Sequence, residues 1–380
     1  MKQASLNFLK NMYSDGRITN KELIDTQNDS LINSVTGGET LEDPFIHGYY
    51  QILQEISYRC SGQCPYCMNR GLDYSETEAP VEDYIAFYDK IIAQGGTIRL
   101  QITGGEPLQP GVIERTSKLV KYAQEHDEVV ILQINSNGNW EIPDDWACDK
   151  LLMQFSMDGD KEYVENITKI DGLYDNLIAN FEKCHKLGIK FQTKTVINPD
   201  NEKFVPDIVK IVNQYGMIAK MQWTLPVGGA SNENEKNDLL TMLQKTKEYE
   251  NKYNIEGQVK EGGVRGCIGY CFRVYKQVDE ENPVIPMLIT PCGKIGLCAF
   301  LATKYMPEGF TIYDFDLINP YTKFIKYLRD TLKDVTCSFP NGFINFYNSL
   351  TDKEKESIEY FINEPDYGNG GITLKEFYNL

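Results

Sequence analysis

Histidine and basic residues are scarce in this chain of 380 residues. Its only histidines are His47, His126 and His185, and none of them lies near the cysteine clusters described below. Lysine and arginine number 38 against 55 aspartates and glutamates, which gives a formal net charge of −17 at pH 7. A surface this acidic repels phosphate backbones, which argues against general nucleic-acid binding and anionic-membrane binding.

Long apolar runs are also lacking. No run approaches the roughly 20 residues that a bilayer span requires, and residues 1–17 lack the apolar core and small-residue cleavage site of a secretory signal. The composition, 41% hydrophobic and 24% charged, is typical of a globular protein in solution. We therefore expect a cytoplasmic protein with no membrane partner.

The chain has ten cysteines, and in a reducing compartment they need a role other than disulfide bonding. Their distribution is uneven: three lie within residues 60–67 and four lie within residues 267–298. Clustering of this kind indicates metal binding.

From Tyr49 onward, strand-like and helix-like segments alternate. Strand patterns lie at 49–57, 97–103, 129–135, 151–157, 189–197 and 217–226, and helical patterns lie at 81–96, 112–126, 173–188 and 204–216. Such alternation predicts parallel strands joined by right-handed crossovers. Six units are too few for a full eight-unit barrel, so we predict an α/β fold, a partial (β/α)6 TIM-like barrel. Its chemistry should lie in the loops that follow the strands.

A polar, glycine-rich stretch at 227–238 ends this pattern. We therefore place an N-terminal extension at 1–45 and the partial barrel at 46–235. A small cysteine-rich domain follows at 236–340, and a helical tail at 341–380.

The first cysteine group, Cys60, Cys64 and Cys67, has CxxxCxxC spacing in the loop after the first strand. Three thiolates on a four-iron cluster leave one iron without a protein ligand, and that open position can bind a substrate or cofactor. A structural zinc site would need a fourth ligand, and no histidine lies nearby. We therefore favour an iron–sulfur cluster over zinc.

Together with Tyr66 just before the last cysteine, this spacing resembles the signature of the radical S-adenosylmethionine (SAM) superfamily. The second strand ends in a stretch that looks like the family's motif for the amino group of SAM: Thr103, Gly104, Gly105, Glu106 and Pro107. The resemblance implies a site-differentiated [4Fe-4S] cluster that reductively cleaves SAM to a 5′-deoxyadenosyl radical, which abstracts hydrogen from a substrate. It also implies an electron donor such as flavodoxin or ferredoxin.

The same resemblance assigns SAM-binding roles along the strand ends. Glu106, with the backbone of Gly104 and Gly105, is expected to bind the methionyl amine. The third and fourth strand ends resemble further SAM-contacting positions: Ser136, Asn137, Ser156 and Asp158. The peptide-modifying branch places an arginine about twelve residues later, where this chain has Thr168, so either that contact is lost or Lys169 replaces it. Val196 and Leu225 flank the adenine or belong to the barrel core.

The second cysteine group resembles the SPASM and twitch extensions, which bind auxiliary iron–sulfur clusters. Gly293 and Cys298 match a G-x4-C hairpin, and only Cys337 remains downstream, which favours the shorter twitch type with one auxiliary [4Fe-4S] cluster. The ligands should be four of five thiols: Cys267, Cys271, Cys292, Cys298 and Cys337. A zinc ribbon of the first four is the alternative.

Residues 11–22 and 365–376 both resemble the end of an EF-hand calcium-binding loop. A calcium loop needs an oxygen ligand at its third position, which is Tyr13 in one copy and Tyr367 in the other. Helix capping by Thr19 and Thr373 is therefore the better account.

The S-x-D-G strand end and the extension resemble the peptide-maturing branch of the family. We therefore predict an enzyme that modifies a peptide or protein side chain. One alternative is action on a small molecule such as a sugar or nucleotide precursor. Another is a cluster-holding regulatory protein without turnover, which the missing arginine at Thr168 favours.

Overall fold

The computed structural model describes residues 49–69, 76–223, 239–253, 259–261, 284–296, 310–315, 347–363 and 373–375, and the single residues 7, 10, 13, 14, 35 and 380. The strands are β1 (Tyr49–Ser57), β2 (Thr97–Gly104), β3 (Val129–Ser136), β4 (Leu151–Ser156), β5 (Lys190–Ile197), β6 (Ile218–Trp223), β7 (Val259–Glu261), β8 (Val284–Ile289) and β9 (Ile295–Gly296). The helices are α1 (Val81–Ala93), α2 (Ile113–Glu125), α3 (Lys161–Thr168), α4 (Leu173–Leu187), α5 (Val205–Asn213), α6 (Leu239–Tyr253), α7 (Asp352–Ser357) and α8 (Glu359–Asn363).

The strands form one sheet in the order β7-β6-β5-β4-β3-β2-β1-β8-β9. All pairs from β7 through β8 are parallel, and β9 pairs antiparallel with β8. Within the described residues, no pairing joins β7 to β8, so the barrel is open. The predicted α/β partial barrel is confirmed, with its six predicted strands adjacent and parallel.

Strand β8 extends this barrel in a way that the sequence analysis did not predict. It runs beside β1 from Tyr49↔Val284 to Gln54↔Ile289, although it comes from the segment assigned to the cysteine-rich domain. Pro286 within it cannot donate a backbone hydrogen bond, which lowers the expectation of a strand flanked on both sides. As a result, the turn after β8 lies at the same sheet edge as the cysteine loop after β1.

The two faces of the sheet differ in polarity. Because side chains alternate along a strand, one face packs apolar residues such as Ile52, Leu100 and Leu132 into the main core with the helices. The opposite, inner face carries an amide on each of β1 to β6: Gln51, Gln101, Gln133, Gln154, Gln192 and Gln222. A closed barrel of this type fills its interior with branched apolar residues. The inner face here is suited to a polar ligand.

Helix α3 was missed by the sequence analysis because eight residues give little periodicity. The Asp160 side chain caps it by accepting a hydrogen bond from the Tyr163 N–H at 2.9 Å. It ends at Lys169, which has a left-handed backbone with φ +59°.

The N-terminal extension, the stretch at 227–238 and both EF-hand-like segments lie mostly outside the described residues. Among the helices that are described, none is both long enough and apolar enough to cross a bilayer.

Candidate functional site

The loop that leaves β1 brings the predicted thiols together. Gly62 lies between the first two: its N–H contacts Cys60 Sγ at 3.3 Å. A Cβ built on Gly62 would lie 3.4 Å from Cys60 Sγ and 3.8 Å from Cys64 Sγ. The Cys67 N–H then closes the turn on the Cys64 carbonyl at 3.2 Å.

The electrostatic setting of the thiols suits a metal centre. Burial raises the pKa of Cys60 to about 11, with nearby Glu106 and Cys67 adding to the effect. Burial also raises the pKa of Cys64 to about 12, and Asp158 contributes next. A positively charged centre would reverse this penalty and stabilise the thiolates. Three thiols on one short loop fit an iron–sulfur cluster with one open iron.

A single metal ion is a different case, because all its ligands must lie within about 2.3 Å of one centre. In the described part of the chain, no three histidine, cysteine, aspartate or glutamate side chains are arranged in that way.

Charged side chains hold the root of the cysteine loop. Glu78 accepts a hydrogen bond from Ser57 Oγ at 2.5 Å and pairs with Arg59 at 3.1 Å. Arg115, from α2, lies 3.8 Å from the same carboxylate and donates to the Ala79 carbonyl at 2.8 Å. The sequence analysis missed this group because nothing in the local spacing links residues 57–59 to 78 and 115.

Gly104 and Gly105 pack against that root. The Gly105 N–H donates to the Ser57 carbonyl at 2.7 Å. A Cβ on Gly104, whose φ is +118°, would lie 2.3 Å from the Ser57 oxygen, and one on Gly105 would lie 2.1 Å from the Arg59 oxygen. The sequence interpretation was that these glycines admit a ligand. The structure adds a second reason, which is close approach to the chain's own backbone.

Glu106 is 1% exposed and accepts three hydrogen bonds. They come from Ser136 Oγ at 2.7 Å, the Asn137 N–H at 2.7 Å and the Leu108 N–H at 2.9 Å. Burial raises the pKa of Glu106 to about 7, although these donors oppose the shift. Two predicted site residues, Ser136 and Asn137, thus hold a third one in place. Pro107, next in the motif, is buried, and its carbonyl accepts a hydrogen bond from the Thr116 hydroxyl at 2.8 Å.

Asp158 joins the cysteine loop to β5. Its carboxylate accepts from the Tyr66 hydroxyl at 2.6 Å and from the Val196 N–H at 2.6 Å. Asn201, which the sequence analysis missed, donates to the carbonyls of Asp158 at 2.9 Å and Val196 at 2.8 Å. Burial raises the pKa of Asp158 to about 6. The aromatic residue of the cysteine motif and the S-x-D-G strand end therefore form one connected unit.

The remaining predicted residues lie around this unit. Ser156 is exposed at the end of β4. The Thr168 carbonyl accepts a hydrogen bond from Gln63 of the cysteine loop at 2.8 Å. Lys169 is exposed, and its Nζ donates to Asn166 at 2.9 Å. Leu225 lies outside the described residues.

Of the second cysteine group, the structure describes one member. Cys292 Sγ donates to Glu76 at 2.7 Å and lies 3.1 Å from Thr290 Oγ1. Glu76 also pairs with Lys294. The other candidates, Cys267, Cys271, Cys298 and Cys337, lie outside the described residues.

An open parallel α/β barrel with a three-thiol loop after its first strand defines the class of this protein. Residues 55–212 match the Radical SAM superfamily, and this part of the chain is a radical SAM domain. The resemblance drawn from the motifs is thereby confirmed.

Three known proteins show how far the similarity extends. The GTP 3′,8-cyclase of Ectopseudomonas mendocina is 26% identical over 196 residues, which cover 50% of this chain and 58% of that protein. The crystal structure of Streptococcus suis SuiB bound to precursor peptide SuiA has a TM-score of 0.59 at 14% identity, covering 73% of this chain and 65% of that one. Native anSMEcpe with bound AdoMet and the Cp18Cys peptide has a TM-score of 0.51 at 15% identity, covering 72% and 80%. At these identities the two structures show likeness of fold alone. The match to the cyclase spans less than two thirds of that relative's length.

Proposed function

We propose that this protein is a radical SAM enzyme that abstracts hydrogen from a peptide or protein side chain. The observation that carries the proposal is the three-thiol loop, attached to the Gly104–Gly105 turn and to Asp158. A bound cluster would supply the electron for the reductive cleavage of SAM, and that cleavage would provide the radical that abstracts hydrogen from the substrate. Cys60, Cys64 and Cys67 would hold the cluster and leave one iron for SAM.

The chain's own residues would orient SAM and exclude water from it. The backbone of Gly104 and Gly105, with Glu106, would bind the methionyl amine, because a carboxylate held by three donors keeps one further acceptor position. Val196 is half-buried beside Asp158, where it would flank the adenine. The electron donor would be a small redox protein such as flavodoxin or ferredoxin, which fits a cytoplasmic location.

A peptide substrate is supported by fold likeness to two structures with bound peptide, SuiB and anSMEcpe. The polar inner face of the barrel also suits a peptide, whose backbone offers donors and acceptors at every residue. A nucleotide is the second candidate, because the curated relative is named GTP 3′,8-cyclase.

One experiment separates these candidates. The anaerobically reconstituted protein is incubated with SAM and dithionite, and either GTP or a pool of synthetic peptides that varies the central residue. We expect 5′-deoxyadenosine to form and its amount to rise when the peptides are added. GTP should remain unconverted. A rise with GTP alone would favour the small-molecule activity. Absence of 5′-deoxyadenosine under all conditions would overturn the enzyme proposal.

We also propose one auxiliary [4Fe-4S] cluster, held by Cys267, Cys271, Cys298 and Cys337. Cys292 is the candidate that we leave out, because its thiol already donates to Glu76 and contacts Thr290. Burial raises the pKa of Cys292, and the hydrogen bond to Glu76 adds to the shift.

A further inference from the structure

A lysine lies on the inner face of the barrel beside the strand end that carries Ser156. Lys194, on β5, is the register partner of Ser156, on β4. Because side chains alternate along a strand, Lys194 shares its face with Gln192, whose amide is hydrogen-bonded to that of Gln154 at 2.8 Å. Ser156 lies on this same face, two residues after Gln154. The Lys194 side chain therefore leaves the sheet next to Ser156, which is exposed.

The charge of Lys194 acts on the residue that joins this strand end to the cysteine loop. The Lys194 carbonyl accepts a hydrogen bond from the Met157 N–H at 3.2 Å, which holds β5 against the S-x-D-G segment. The Asp158 carboxylate accepts from Tyr66 and Val196 at 2.6 Å each. Burial raises the pKa of Asp158, and the Lys194 ammonium is one of the groups that oppose the shift. A positive charge therefore lies within electrostatic range of Asp158.

The other charged groups around this space are acidic. Glu106 and Asp158 are both buried at neighbouring strand ends. Where they are ionised, they repel any further carboxylate that enters between them. The carboxylate of SAM would bind here only with a cation close by, and Lys194 meets that requirement.

The two residues that the sequence analysis considered for this role are engaged elsewhere. Thr168 stands where the resemblance places an arginine, and its hydroxyl donates to the Val164 carbonyl at 2.7 Å. Lys169 is exposed and donates to Asn166, within its own turn, at 2.9 Å. Lys194, in contrast, is half-buried on the inner face of the barrel.

We propose that the Lys194 ammonium binds the methionyl carboxylate of SAM, in the role that the resemblance gives to an arginine at the position of Thr168. An ammonium has three donors on a flexible four-carbon stem. Such a stem can span the roughly 4.8 Å between neighbouring strands, which brings the charge over Ser156. The Ser156 hydroxyl then donates to the second carboxylate oxygen. This inference rests on the proposed binding of SAM by this site.

The discriminating variant is Lys194→Met, which keeps an unbranched side chain and removes the charge. We expect iron content to stay at the wild-type value. SAM affinity, measured by equilibrium dialysis on the reconstituted protein, should fall about ten- to a hundredfold, the range for a hydrogen bond between charged groups. Lys194→Gln, which keeps a polar group on the inner face, should show the same loss. Lys194→Arg restores the cation and should bring the affinity to within about fivefold of wild type.

Decarboxylated SAM separates direct contact from an effect through Asp158. It lacks the carboxylate, so Lys194→Met should change its affinity by less than about twofold. Equal losses for SAM and decarboxylated SAM would show that Lys194 acts through Asp158 and would overturn the inference. Unchanged SAM affinity in Lys194→Met would overturn it as well.

Lys220→Met is the matched control variant. Lys220 is the register partner of Lys194 on β6, is also half-buried, and lies one strand further from Ser156. We expect its exchange to leave SAM affinity within about threefold of wild type. A loss as large as that of Lys194→Met would indicate a general effect of positive charge in the barrel, against the inference. If wild type itself failed to bind SAM, the proposed function would fail instead.

Discussion

At the scale of single residues, the buried carboxyl groups of this chain are held mainly by neutral donors. Glu106 is bonded by one hydroxyl and two backbone N–H groups, and Glu55 by the Tyr58 hydroxyl at 2.9 Å. Neutral donors offset only part of the cost of burying a negative charge. Burial consequently raises the pKa of Glu55 to about 7, as it does for Glu106.

These shifts predict a pH dependence of stability, for which Glu55→Gln is the test. In the folded chain Glu55 keeps its proton up to about pH 7, whereas in the unfolded chain it loses it near 4.5. The folded state therefore binds more protons between these values, so stability from this group is greatest below pH 4.5 and is lost as the pH rises through 7. We expect Glu55→Gln to be more stable than wild type at pH 8 by roughly 1–3 kcal/mol and similar at pH 5, in urea unfolding.

Glu82→Gln is the matched control for that experiment. Glu82 is exposed, and a hydrogen bond from Lys118 lowers its pKa rather than raising it. This exchange should leave the change in the free energy of unfolding between pH 5 and pH 8 the same as in wild type. If the free energy of unfolding of Glu55→Gln changed with pH as it does in wild type, Glu55 would be charged in the folded chain.

At the scale of strands and loops, the sequence predicts the features that are set by residues close together along the chain. Alternation and helical periodicity located β1 to β6, and the cysteine spacing and the Gly104–Gly105 turn follow from residues a few positions apart. Contacts across long sequence separations leave no such pattern. The pairing of β8 with β1 and the contacts of Glu78 with Ser57 and Arg115 are of this kind, because they join residues far apart in the sequence.

The link between the cysteine loop and β4 can be tested with Tyr66→Phe, Asp158→Asn and the double variant. If Asp158 acts by positioning the loop through the Tyr66 hydroxyl, both single variants should lower SAM affinity to a similar degree. The double variant should be little worse than either, because one interaction is removed in all three. Titration of SAM into each reconstituted variant, with iron content measured alongside, checks this. A loss in Asp158→Asn without one in Tyr66→Phe would instead indicate direct contact between Asp158 and SAM.

The turn that follows β2 gives a second prediction at this scale. In Gly105→Ala, the added Cβ would lie 2.1 Å from the Arg59 carbonyl oxygen, next to Cys60. Because both groups are backbone, the turn and the loop root must separate. We expect a loss of more than about 2 kcal/mol in stability, typical of steric strain in a packed site, and reduced iron retention after desalting.

Gly188→Ala provides the comparison. Gly188 ends α4 with φ +71°, and a Cβ there would meet nothing within 4 Å. It should cost only about 1 kcal/mol of backbone strain and leave iron content unchanged. Equal iron retention in the two variants would show that the glycine turn does not support the cysteine loop.

At the scale of the whole molecule, one short segment connects the two cysteine groups. Glu78 holds the root of the first cysteine loop, and Glu76 contacts Cys292 and Lys294 in the turn after β8. Between them, the Ala79 N–H donates to the Pro291 carbonyl at 2.7 Å. The Tyr84 hydroxyl, from α1, donates to the same carbonyl. Residues 76–79 therefore tie the edge of the barrel that carries the proposed SAM cluster to the start of the second cysteine group.

Iron stoichiometry tests this two-centre arrangement. We predict about eight iron atoms per chain after anaerobic reconstitution, from two four-iron clusters. Cys60, Cys64 and Cys67 replaced together by alanine should leave about half of the iron, since the second cluster does not use them. Cys298→Ser should lower the iron by a similar amount.

Cys292→Ser should keep the full complement of iron, because a hydroxyl can still donate to Glu76 and Cys292 is not among the proposed ligands. Loss of about four iron atoms in Cys292→Ser would return this thiol to the ligand set. Loss of all iron in the triple variant would leave the first loop as the only cluster site, and zinc analysis of the second group would then distinguish a zinc ribbon from an empty site.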